Sequence, residues 1–165
     1  MSNIEESIAR RFFTHVLPTD ALVDPTFLAP WLKERALRVQ PLAFPPVFAL
    51  GSAKLEAVYS ICRLSRPTTV VETGVANGAS SAVILKALAE NQRGELWSVD
   101  RPPLTPFQKP TVGSLVPELT NRWHLLFKDG LRGLSIVLRS VPSVDVFLHD
   151  SKHTYSRMSK EFCLV

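Results

Sequence analysis

Apolar residues recur three and four positions apart at Ile4, Ile8, Phe12 and Val16, behind a Ser2 and a Glu5 that match a capping box. This predicts an amphipathic helix that Pro18 ends. Asp24 before Pro25 reads as an N-cap with a first-turn proline, opening a second helix whose apolar face is Leu28, Trp31, Leu32 and Val39. Pro41, Pro45 and Pro46 close it, because each proline removes a backbone donor and biases its predecessor toward extended geometry. Residues 1–50 are therefore expected to be a helical cap and connector, and residues 51–165 the main domain.

From Gly51 the pattern alternates. Leu55, Val58, Tyr59 and Cys62 share one helical face, and TTVVET follows as a short buried strand. A helix over 79–91, LWSVD as a strand, a proline-rich loop, a short helix near Val116 to Asn121 and WHLLF as a third strand come next. Leu131 to Leu138 reads as a helix, VDVFLHD as a fourth strand, and Tyr155, Met158 and Phe162 as the face of a last helix. Strands alternating with helices imply parallel pairing through right-handed crossovers, hence a doubly wound α/β fold of Rossmann-like kind.

Composition narrows the function classes. At 45% hydrophobic and 21% charged residues the 165-residue chain has the composition of a single globular domain. The net charge of +4 is spread without a basic block or an aromatic-interleaved stripe, which gives no sign of a specific nucleic-acid partner. No apolar run has membrane-spanning length and the N-terminus lacks a basic signal-peptide start, so a cytoplasmic protein with no membrane partner is expected. Two cysteines, Cys62 and Cys163, fit ordinary thiols better than a disulfide framework or a zinc knuckle.

The chemistry concentrates in Val70-Val71-Glu72-Thr73-Gly74-Val75-Ala76-Asn77-Gly78-Ala79-Ser80-Ser81, where two glycines stand four apart as a strand turns into a helix. Glycine tolerates positive φ and lacks a Cβ, while the helix N-terminus presents free N–H groups to an anion. The GxxxG spacing departs from the dinucleotide fingerprint GxGxxG, and GxxxxGK[ST] is absent, which disfavours NAD and ATP. LWSVD ends in Asp100, at the strand tip where Rossmann-like folds place an acid for the ribose hydroxyls.

ETGVANGASS with SVD, then GSLVPELTNRWHLLFKDG, then VDVFLHDSKHTYSRMSKEF, resembles the class I S-adenosylmethionine-dependent methyltransferases, in particular their small-molecule O-methyltransferase-like branch. The resemblance runs from about Gly51 to Phe162. It implies S-adenosylmethionine as cofactor, a small-molecule oxygen as methyl acceptor, and a set of site residues. Gly74 and Gly78 would let the backbone approach the methionine part, Glu72 would order that loop, and Ser80 would help hold the amino-acid end. Asp100 would bind the ribose, and Asp129 with Gly130 would meet the adenine, Asp129 reading equally as an N-cap.

In HDSKHTY, His153 is the candidate general base and Asp150 its catalytic neighbour, with a hydrogen-bonded structural histidine as the alternative for His153. His149 lies within the strand and reads as structural. Related branches put a magnesium ligand at the Asp150 position, completed after a fifth strand that this chain does not contain. The expected sheet order is three, two, one, four, leaving the fourth strand as an apolar edge through which a homodimer could form. A chain shortened at its C-terminus is expected to be weak or inactive in transfer, and the alternative function is a non-catalytic cofactor-binding or interaction module that pairs through its exposed strand. Residues 101–117 read either as a flap over the site or as a long connector.

Overall fold

The structure, a computed structural model, describes residues 24–39, 44, 50–101 and 115–165. The capping box at Ser2 and Glu5, the first helix, the prolines of the connector and most of the proline-rich loop lie outside them.

Four strands, β1 (Thr69–Thr73), β2 (Glu95–Asp100), β3 (Trp123–Phe127) and β4 (Val146–His149), form one parallel sheet in the order β3-β2-β1-β4. The doubly wound α/β reading and the strand order are both met. Among the described residues five helices flank the sheet: α1 (Leu28–Arg38), α2 (Ser52–Ser65), α3 (Ala79–Glu90), α4 (Gly130–Ser140) and α5 (Tyr155–Leu164), with a 3₁₀ turn over Pro117–Arg122 before β3.

Strand periodicity sorts the core into two layers. Val70 and Leu96 turn toward α2 and α3, joining Leu28 of α1, Leu55, Tyr59, Cys62, Ile84, Leu85 and Leu88. Their neighbours Val71 and Val99 turn the other way, onto Leu134 and Val137 of α4. All five residues of β1 are buried, as a central parallel strand covered on both faces requires. Burial pushes the Cys62 thiol up to about 12, so it stays protonated and unreactive.

Two helix readings are corrected. α1 begins at Leu28, not at Pro25: Asp24 accepts a hydrogen bond from the Thr26 N–H (2.9 Å), and Leu28 N–H donates to the Pro25 carbonyl, so the aspartate caps a turn that precedes the helix. The face expected of α5 is met only in part. Tyr155 is 88% exposed, Phe162, 54% exposed, sets its ring edge-on against Phe147 of β4, Met158 is half-buried, and the fully buried residue of the helix is Glu161. The inward side of α5 is chosen by hydrogen-bond donors waiting for that carboxylate.

The chain runs outward from β1 through β2 to β3 and then crosses back to β4 on the other side of β1. The switch point of the sheet therefore lies between the C-terminal ends of β1 and β4, the place where open α/β sheets leave a ligand crevice. No helix among the described residues is long and apolar enough to cross a membrane.

Candidate cofactor and acceptor site

The turn after β1 alternates hand. Gly74 (φ 87°), Ala76 (φ 47°) and Gly78 (φ 81°) all have positive φ, which lets five residues reverse the chain and deliver it to the start of α3. Two of the three are glycine, as sterics favour; Ala76 carries the strain of a left-handed residue with a Cβ. Its N–H and that of Val75 donate to Oδ2 of Asp100 at 3.1 and 3.3 Å, and the Arg101 N–H donates to Oδ1 at 2.7 Å. The tip of β2 thus holds the tip of the loop.

Asn77 holds it from outside. Its amide accepts from the Phe44 N–H at 2.9 Å and donates to the Phe44 carbonyl at 2.7 Å, tying Phe44 to the turn. Sequence periodicity gave no hint of this residue.

Behind the loop lies Glu72, fully buried. It accepts from Ser80 (2.5 Å) and Ser81 (2.6 Å) at the start of α3 and from Ser98 of β2 (2.8 Å), whose hydroxyl also accepts from the Trp123 indole N–H at 2.9 Å. Burial pushes its carboxyl up to about 7, with the three hydroxyls pulling the other way. Glu72 therefore orders the loop by fastening α3 to the strand beneath it. Ser80, expected near the amino-acid end of a cofactor, gives its hydroxyl to Glu72 and is itself buried.

Across the switch point, a cleft is lined by Leu50, Val75, Ala76, Asn77, Ala79, Ser80 and Asp150. Glycine is required at 74 because a Cβ there would lie 2.3 Å from the Asp150 carbonyl oxygen, so the space the glycine spares is filled by the chain leaving β4. Asp150 is half-buried, its carboxyl raised by burial against the pull of His153, Lys54 and His149. His153 is exposed, with Nε2 3.6 Å from Oδ1 of Asp150, which lines the cleft; His153 itself does not line it.

The remaining residues lie on the other face. His149 is buried with Nδ1 2.8 Å from Glu161, as expected of a structural histidine. Asp129 precedes α4, exposed, and pairs with Arg157 at 2.9 Å, which is the main reason its carboxyl lies below the usual range. Gly130 is buried, and a Cβ on it would come within 2.9 Å of both Arg157 and Glu161. Among the described residues no three His, Cys, Asp or Glu side chains converge to hold a metal ion, so nothing there completes a magnesium site around Asp150.

Three solved structures share the fold. They are a methyltransferase from Podospora anserina bound to S-adenosylhomocysteine (11% identity, 99% of this chain and 64% of that one, TM-score 0.59), an O-methyltransferase from Bacillus cereus in complex with S-adenosylhomocysteine (12%, 96% and 67%, 0.61), and the O-methyltransferase TomG from Streptomyces achromogenes in complex with S-adenosylmethionine (16%, 99% and 70%, 0.59). The chain thus spans about two thirds of their length. No curated protein matches the sequence. The family pattern described as a methyltransferase domain matches residues 71–165, from the strand that carries Glu72 to the end of α5. Since that match covers more than half of the chain, the protein belongs to the methyltransferase-domain family.

Proposed function

We propose that the chain binds S-adenosylmethionine at the C-terminal ends of β1 and β2 and transfers its methyl group to an oxygen of a small molecule. The observation that carries this reading is the loop of Gly74 to Gly78, held by Asp100 beside the cleft at the switch point. The presence of S-adenosylhomocysteine or S-adenosylmethionine in the three structures of like fold supports it.

In this reading Asp100 takes the ribose hydroxyls, Asp129 and Gly130 meet the adenine, and Gly74 and Gly78 shape the turn that faces the methionine part. Glu72 and Ser80 act from behind, by holding the start of α3. The bound cofactor supplies a methyl group on a sulfonium centre. His153, exposed with Asp150 beside it, would accept the proton of the acceptor hydroxyl, and S-adenosylmethionine held at the strand ends would supply the methyl group to the freed oxygen, leaving as S-adenosylhomocysteine. Alignment of the acceptor supplies most of the rate.

Calorimetric titration tests the cofactor: S-adenosylhomocysteine should bind while NAD and ATP do not. A tritiated-methyl assay against a panel of phenols and sugars tests the acceptor class, and His153→Ala should lose turnover with cofactor affinity unchanged.

A second reading, an interaction module that pairs with its own copy, draws on β4 lying at the edge of the sheet with Phe162 and Leu164 exposed on the helix that follows. Its signature is a concentration-dependent mass in light scattering together with no cofactor binding.

A further inference from the structure

Helix α5 is fastened in an unusual way. Its one fully buried residue is an acid, Glu161, at a position of the helical face where an apolar side chain is the rule. A carboxylate withdrawn from water is costly unless donors replace the water, and here they come from three segments. Thr73 at the end of β1 donates to Oε2 at 2.7 Å, His149 at the end of β4 stands 2.8 Å from the same oxygen, and the Ser151 hydroxyl lies 3.3 Å from Oε1. Arg157, one turn earlier on α5, places Nε 2.9 Å from Oε1 and extends another guanidinium nitrogen to Asp129 at 2.9 Å.

The geometry assigns Glu161 the role of a positioning residue for the cofactor site, acting on both sides of the switch point. Thr73 and His149 are paired across β1 and β4, so one carboxylate fixes the separation of the two strand ends whose following residues, Gly74 and Asp150, touch backbone to backbone, and Asp150 lines the cleft. Through Arg157 the same carboxylate fixes Asp129 at the start of α4. Thr73 and Glu72 are consecutive in β1 and face opposite ways, so each face of the strand carries a buried carboxylate: Glu72 holds α3 and Glu161 holds α5. The inference rests on the proposed cofactor site, since Asp129 is its adenine-side residue.

The test is a double-mutant cycle on affinity for S-adenosylhomocysteine, measured by calorimetry on wild type, Arg157→Lys, Asp129→Asn and the double variant. Arg157 is only partly buried, and lysine keeps the charge but reaches one carboxylate at a time, so the fold should persist. Each single variant should weaken binding about 5- to 50-fold, and the double variant no further than the weaker-binding single, because both break one chain of contacts. Glu161→Gln should weaken binding by a similar factor, with Glu161→Asp recovering part of the loss. Wild-type binding with unchanged affinity in the folded variants, even at lowered melting temperature, would show the network to be structural only. Additive losses would overturn the coupling of Arg157 to Asp129. Failure of the wild type itself to bind would overturn the cofactor reading and this inference with it.

Discussion

Gly74 and Asp150 touch backbone to backbone: a Cβ on the glycine would stand 2.3 Å from the Asp150 carbonyl oxygen, 2.6 Å from its carbon and 2.8 Å from the Ser151 nitrogen. None of these atoms belongs to a flexible side chain, and the glycine's φ of 87° adds strain for any other residue. Gly74→Ala is therefore expected to cost about 3 kcal/mol or more of folding stability. Thermal unfolding followed by circular dichroism measures it. A variant as stable as wild type would mean the strand ends separate without penalty.

Glu72 makes stability depend on pH in a definite direction. Its carboxyl titrates near 4.5 when unfolded and is pushed up to about 7 by burial in the folded state. Between those values the folded protein holds more protons there than the unfolded chain, so stability from this group is fully present below about 4.5, falls as pH rises, and levels off above about 7. The span is worth about 3 kcal/mol. Glu72→Gln should remove that slope, seen as a flatter dependence of the urea midpoint on pH between 5 and 8. Parallel curves for the two proteins would place the Glu72 carboxyl in the ordinary range.

Much of this arrangement is legible in the sequence. Alternating apolar runs and helical stripes yield the four strands in order, and the glycine turn and Asp100 do come together at the C-terminal ends of β1 and β2. What is illegible depends on contacts between distant residues. Glu161 reads as a solvated acid on a helix until Thr73, His149 and Arg157 converge on it; the one signal is its position beside Phe162, between Met158 and Val165, on an apolar stripe. Asn77 likewise gains its role from Phe44, far away in sequence. Tyr155 misleads because an apolar period marks a face without saying which neighbour will cover it.

Ala76 is strained where its two glycine neighbours in the turn are not. A left-handed conformation costs a residue with a Cβ about 1 to 2 kcal/mol, while glycine loses about 0.5 to 1 kcal/mol through the freedom of the unfolded chain. The difference favours the substitution, so Ala76→Gly should stabilise the fold by about 0.5 to 1 kcal/mol and raise the melting temperature by a few degrees. A lower melting temperature would show that the methyl group packs well enough to outweigh the φ of 47°.

The last expectation concerns how Asp100 can serve both loop and ligand. A carboxylate offers about four acceptor positions, and three are occupied, by the N–H groups of Arg101 (2.7 Å), Ala76 (3.1 Å) and Val75 (3.3 Å). Two ribose hydroxyls need two, so one loop bond must yield, and the longest, from Val75, yields first. Cofactor binding is then coupled to a small shift of the turn. Asp100→Asn leaves one acceptor oxygen and no charge, which cannot supply both sets of donors, and S-adenosylhomocysteine should bind about 10- to 100-fold more weakly, in keeping with about 1.5 to 3 kcal/mol for charge-assisted bonds. An analogue lacking the 2′ and 3′ hydroxyls separates the two duties, because it needs the turn but not the ribose contacts. The variant should cost it less than it costs S-adenosylhomocysteine, since only the loop contacts are then lost. Equal losses for the natural ligand and the analogue would assign Asp100 to the loop alone.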